Sequence, residues 1–583
     1  QLQQIPNLTR YQYAASGSIL TSLIEPLCQQ YGQMAQTLMQ AGPNGGAAVP
    51  ENARAIVEGK LTWLVYLVGA QIGGHMTMAS AGREGHELTD AQMARGVFQL
   101  MGMVNQLLEG SRGPIRCDRR LEIALLYFFT EFRRCYVGEH HGMPSAKEMK
   151  KIKAEAERKR LMEMEAVRLG VPVGGLKKSG SDIDMSGGGG GGANAAVANK
   201  RVFPGLTPQQ QFALGNMVSR HNAGTGAAGG GGRRPAASQL SKAKSSSERK
   251  REMYVRMFKS MGIGDHTVVI NTLVHKVRNN LTHWADDQEV IRHTLDVFYW
   301  LSAGYGSGKF MLSLEATQML LAQHGPSTLR FLNVVANTRQ RTRFYKTLAR
   351  LVFIGDYENI LRPFLRPIIA TITQLGPSIA KKERSDAAKY ALIGVCRDLR
   401  GIFSAALGSH SYGLLFDAIY PQHIAVLSAA PTVWADTPEV MNPVLKFFCE
   451  LVNAKGSRIK FAPSSPNGIL LFRQISNVVV AYGRALLTGS KPDSTREYSH
   501  WYKGMSLVLT LMSHALQGNY VNFGVFSLYN DQALSSSLQV SLQVLLSMKL
   551  AEIMAYPKVS GGVFVDAFLV YSPDCVFVCF LFA

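Results

Sequence analysis

Apolar residues recur along this chain at the three-and-four spacing of an amphipathic helix. In Leu121, Leu125, Phe128, Phe132 and Tyr136 the steps are four, three, four and four; in Leu392, Val395, Leu399 and Ile402 they are three, four and three. Leu534, Leu538, Leu542 and Leu545 repeat the pattern near the far end. Each series lines one face of a helix and leaves the other polar. Strand-like alternation with hairpin turn signals is hard to find, so the chain reads as all-α. The pattern predicts helices over 251–261, 267–283, 288–302, 308–324, 341–354, 361–375, 383–405, 411–428, 443–454, 467–486, 500–517 and 532–549. Thr437-Pro438, Asn442-Pro443 and Ser465-Pro466 each place a capping residue before a proline suited to a first helical position. Mostly short connections make successive helices antiparallel neighbours. Trp63, Phe128, Phe132, Leu399, Phe448 and Leu545 are expected in the interior.

The helices fall into two blocks, residues 1–138 and 251–560. The most apolar piece of the first block, 61–70, is too short to span a bilayer and reads as a buried helix ended by Gly73 and Gly74. Between the blocks, residues 139–250 change character. A charged stretch comes first, then glycine runs at 187–192 and 229–232, then Ser/Lys-rich sequence. Such composition buries too little apolar surface to offset its ordering entropy, so it reads as a mostly disordered insertion. A last piece, 561–583, is apolar but interrupted by Asp566, Pro573 and Asp574. Its apolar runs are too short for a membrane anchor, and it reads as sequence foreign to the helical blocks.

Charge sharpens this division. The net charge is +21, of which residues 147–259, with 22 Lys/Arg and 9 Asp/Glu, hold +13. The helical blocks are therefore only mildly basic, and nucleic acid is not expected as their partner. The basic cluster Arg158-Lys159-Arg160 reads as a solvated helix face. Seven dispersed cysteines suit structural thiols in a reducing compartment. The chain begins at Gln1 and reads as part of a longer protein.

No reaction chemistry emerges from the residues. Residues 303–310, AGYGSGKF, imitate a phosphate loop, but Ala303 stands where the leading glycine is needed and Phe310 where Ser or Thr would hold Mg²⁺. Those glycines read as a turn between helices. His140-His141, His275 and His283 have no metal-binding spacing, and the pair Cys575/Cys579 has no second pair to complete a zinc site. No nucleophile elbow is present. The expectation is a non-enzyme with no catalytic, cofactor-binding or metal residues and no cofactor. Arg397 and Arg400 stand three apart on one helical face and are the candidate partner-binding residues. In a stacked array such charges commonly form ladders between repeats, and the ladder predicts that Arg400→Ala lowers stability. Contact with an acidic partner is the alternative.

Six segments in order resemble one family: 58–66 (EGKLTWLVY) with Ile72-Gly73-Gly74, 120–129 (RLEIALLYFF), 395–402 (VCRDLRGI), 442–446 (NPVLK), 464–473 (SSPNGILLFR) and 518–526 (GNYVNFGVF). They are similar to the middle and later part of the exportin-seven and Ran-binding-protein-sixteen family, within the importin-β (karyopherin) superfamily. The resemblance covers 1–138 and 252–560. It implies an α-α superhelix of the HEAT/armadillo type, a solenoid of stacked antiparallel hairpins. It further implies a nuclear export receptor that shuttles between nucleus and cytoplasm. Its partners would be Ran-GTP, protein cargo and nucleoporins, with no membrane. The amino-terminal repeats that make this superfamily's main Ran contact are not matched, so Ran-GTP binding by this chain alone is expected to be weak or absent. A static helical-repeat scaffold is the competing reading.

Overall fold

In the computed structural model the described residues are 2–41, 49–74, 86–110, 114–137, 246–264, 266–355, 357–462, 464–489 and 498–556. The segments singled out at 139–141, 158–160, 187–192, 229–232 and 561–583 lie outside them. The chain divides into two units, Gln1–His141 with Ser246–Ala583, and Gly142–Ser245.

Among the described residues there is no strand. The first-block helices are α1 (Tyr13–Ala41), α2 (Glu51–Gly73), α3 (His86–Leu108) and α4 (Arg119–Tyr136). After them come α5 (Ser246–Ser260), α6 (His266–His283), α7 (Gln288–Ala303), α8 (Tyr305–Met311), α9 (Glu315–Ala322), α10 (Arg341–Ile354) and α11 (Tyr357–Ala380). The rest are α12 (Asp386–Ala405), α13 (Ser409–Ile419), α14 (Gln422–Ser428), α15 (Pro438–Leu451), α16 (Asn467–Thr488), α17 (Lys503–Gln517) and α18 (Ala533–Leu546). Shorter turns join them. Helices pack in two layers. One runs α1, α3, α6, α9, α11, α14, α16, α18; the other runs α2, α4, α7, α10, α12, α15, α17. Consecutive helices cross between layers, as in α1/α2, α6/α7, α11/α12 and α16/α17. This is an α-α solenoid of antiparallel hairpins, with an apolar core running between the layers.

Local chemistry sets many of the ends. Asp118 accepts from the Arg120 amide, Asp287 from those of Glu289 and Val290, and Ser385 from that of Ala388, each capping the helix that follows. Pro438 begins α15 as the sequence predicts, but Pro443 lies inside that helix rather than starting one. Burial of Val440, Val444, Phe447, Phe448 and Leu451 outweighs the one lost backbone bond. The predicted helix 308–324 is broken into α8 and α9, and 411–428 into α13 and α14, the second break falling at Pro421.

Phe128, Phe132, Leu399 and Phe448 are fully buried, whereas Trp63 is 67% exposed. Helix α2 is apolar almost all round, so periodicity does not say which side meets α1 and α4; Leu61, Leu64, Val65 and Val68 do, and Trp63 points away. Leu545 is only partly buried, because α18 packs chiefly on α16 and turns Ser537, Val540, Ser541 and Val544 inward. Helix α2 is also the one described helix long and apolar enough to cross a bilayer, longer than its ten-residue apolar stretch suggests, and most of it is buried here.

Polar joints brace the first block and tie it to the second. Tyr13 and Tyr136 both donate to the buried carboxylate of Asp90. Tyr254 sets its ring edge-on to Tyr136, centroids 5.9 Å apart, so the chain returns to the place it left at the end of α4. Lys276 pairs with Glu122 at 2.7 Å, both fully buried, and Asn280 donates to the same carboxylate at 2.6 Å.

Candidate functional site

Helices α10 and α12 approach so closely that a side chain at Gly401 would meet the Thr342 carbonyl oxygen at 2.4 Å and the Lys346 amide at 2.9 Å. Glycine permits the crossing. Across it, Arg341 gives Asp398 a two-pronged bond, Nε to Oδ1 at 2.8 Å and Nη2 to Oδ2 at 2.5 Å, and donates Nη1 to the Leu332 carbonyl at 3.0 Å. Their side chains are 13% and 3% exposed. Burial disfavours the Arg341 charge, but attraction to Asp398 outweighs it and holds the guanidinium pKa above its ordinary value, while burial raises the Asp398 carboxyl against the opposing pull of Arg341.

Charge ladders between neighbouring repeats do exist. Arg343 pairs with Asp296, Arg384 with Asp436 at 2.7 Å, and Lys389 with Glu439 at 2.8 Å. Arg397 and Arg400 are not rungs of them. Among the described residues neither makes a hydrogen bond or an ion pair, which overturns the ladder expectation for these two. The ladder position on this stretch belongs to Asp398, which the helix turns toward α10. Arg397 is half-buried, and its Nε is shut from solvent without an acceptor. Burial first, then repulsion from Arg339 and Arg400, lowers its pKa. Arg400 faces α15: burial pushes the Cys449 thiol up to about 12, and the Arg400 charge is the largest influence opposing it.

Upstream, Tyr299 of α7 carries three cations near its ring, Arg343 at 5.1 Å, Lys346 at 5.4 Å and Arg350 at 5.1 Å. Arg133 sits 5.6 Å from the centre of the exposed Trp300 ring. Sequence inspection missed Arg339, Arg341 and Tyr299. The three-and-four spacing of Arg343, Lys346 and Arg350 was the available signal, since it marks one cationic stripe.

The phosphate-loop imitation is a packing turn. Gly304 precedes α8, Ser307 donates to the Leu301 carbonyl at 2.7 Å, and a side chain at Gly308 would meet Ile354 at 2.8 Å. No cluster of metal-ligating side chains occurs among the described residues. His275 and His283 lie on α6, and burial lowers the His283 pKa.

Two layers of stacked antiparallel helices define an α-α helical-repeat protein. The family model described as the exportin-7-like TPR domain matches residues 1–167 and 239–342, stopping before the glycine run at 187–192 and resuming after the one at 229–232. Exportin-7-B of Xenopus laevis is 28% identical over 568 residues, covering 96% of this chain and 41% of that protein. Ran-binding protein 17 of Mus musculus is 28% identical over 567 residues, with the same coverage. Exportin-7 of Dictyostelium discoideum is 26% identical over 566 residues, covering 96% and 44%. The chain belongs to the exportin-7-like family and spans about two-fifths of the length of these curated relatives.

Proposed function

We propose that this chain serves in a nuclear export receptor, binding protein cargo and Ran-GTP, engaging nucleoporins and shuttling between nucleus and cytoplasm. It catalyses nothing; Ran supplies the nucleotide chemistry. The reading rests on the two-layer helical array together with relatives named exportin and Ran-binding protein. Cargo and Ran-GTP favour the same arrangement of the array, so each raises the other's affinity. Arg397 and Arg400 are partner contacts, because they lack acids of their own. The division into blocks 1–138 and 251–560, an insertion 139–250 and a tail 561–583 belongs to the same reading.

The test is affinity capture on the full-length protein containing this chain, with Ran loaded with a GTP analogue or with GDP. Cargo retained only with the GTP form supports export. Cargo released by that form reverses the direction of transport, and equal binding of both Ran forms leaves a static scaffold.

A further inference from the structure

Three arginines converge where α12 meets its neighbours. Arg339 is exposed on the turn Val335–Gln340, which leads into α10 and packs on α12. Arg397 and Arg400 follow one another on α12, the second facing α15 near Cys449. None of the three makes a hydrogen bond or ion pair among the described residues, although Arg341, Arg343, Arg384 and Lys389 close by all do. A buried guanidinium nitrogen without an acceptor is costly, and like charges held together add to that cost. An anion docked at the accessible part of the cluster would relieve the repulsion.

We propose that Arg339, Arg397 and Arg400 form a docking point for a short acidic segment of a protein partner, whose neighbouring carboxylates engage the free guanidinium forks. This deepens the partner-contact part of the preceding reading and rests on it. Guanidinium forks match carboxylates two bonds at a time. The cluster is also short and bounded. Asp436 and Glu439 lie toward one end of the α12/α15 pair and Glu450 toward the other, each paired with its own base. A run of phosphates, as in a nucleic acid, would meet those carboxylates; one or two acidic side chains would not.

The test titrates the full chain into a fluorescein-labelled hexaglutamate peptide, read by anisotropy at about 0.15 M salt. A photo-reactive version of the peptide is cross-linked and mapped by mass spectrometry. Removing one charged contact is expected to weaken binding roughly tenfold, and Arg397→Gln with Arg400→Gln together roughly a hundredfold. Arg400→Lys, which keeps the charge without the fork, falls between wild type and Arg400→Gln. Lys389→Gln, whose ammonium is already paired with Glu439, leaves binding unchanged. The arginine variants melt at or above the wild-type temperature, since repulsion is relieved. Should the double variant melt early, the exposed Arg339→Gln and the charge-keeping Arg400→Lys decide alone.

Unchanged affinity in the arginine variants overturns the proposal, as do cross-links confined to residues 147–259. So does a single-stranded oligonucleotide of equal charge that binds more tightly and is lost with the same variants. None of these readouts uses Ran or cargo. Failure of Ran-GTP capture therefore leaves the hexaglutamate result standing, and loss of the peptide site leaves the capture result standing.

Discussion

Along α12, Asp398 and Leu399 turn into the packing with α10 while Arg397 and Arg400 are only half-buried, and the two edges treat charge in opposite ways. At the inner edge the Asp398 carboxylate is matched by both prongs of Arg341. At the outer edge two guanidiniums one helical turn apart have no paired acid among the described residues, and repulsion from Arg339 and Arg400 adds to the burial that lowers the Arg397 pKa. Four consecutive residues thus divide between holding the repeats together and facing outward. Truncation on the two edges should have different consequences.

The largest effect is expected at the inner edge. Asp398→Ala leaves Arg341 charged, largely buried and unmatched, and should cost about 3–5 kcal/mol of stability, read as a lowered urea midpoint. Leu399→Ala opens a cavity in the same crossing and should cost about 2–5 kcal/mol, with hexaglutamate affinity unchanged once the protein is folded. A Leu399 variant that keeps its stability but loses binding would break the comparison, because it would place a partner contact on the inner edge.

pH separates the edges further. His324 is 1% exposed, its ring tilted against that of Phe364 with centroids 4.6 Å apart, and Tyr345 of α10 donates to its backbone carbonyl at 3.0 Å. Burial lowers its pKa from 6.5 to about 4. The unfolded chain therefore takes up this proton near pH 6.5 and the folded chain only near 4. Stability from the neutral ring is complete above pH 6.5 and is lost progressively as pH falls toward 4, by about 3 kcal/mol. The difference between wild type and His324→Gln, melted across that window, should show this slope. Arg400→Ala leaves His324 and its surroundings intact and should follow the wild-type pH dependence.

Much of this arrangement is legible in the sequence, and the exceptions have common causes. Helix α10 spans 341–354 as predicted, because one apolar stripe with charged residues opposite leaves a single consistent reading. Trp63 and the leucines of α18 mislead because their helices are apolar on more than one side, and only neighbouring helices decide which side is covered. Leu542, on the predicted apolar stripe, is 50% exposed, while the serines Ser537 and Ser541 are buried. For the site, the spacing of Arg397 and Arg400 put them on one face. Their lack of acids was invisible, because Arg341, which takes Asp398, lies 57 residues away. Arg339 and Tyr299 join the picture only through packing between repeats.

The most direct measurement sets urea denaturation of Arg400→Ala beside that of Asp398→Ala. Arg400→Ala is expected within about 0.5 kcal/mol of wild type, while Asp398→Ala loses about 3–5 kcal/mol. Equal losses in the two variants would contradict this, showing that Arg400 holds the repeats together as Asp398 does.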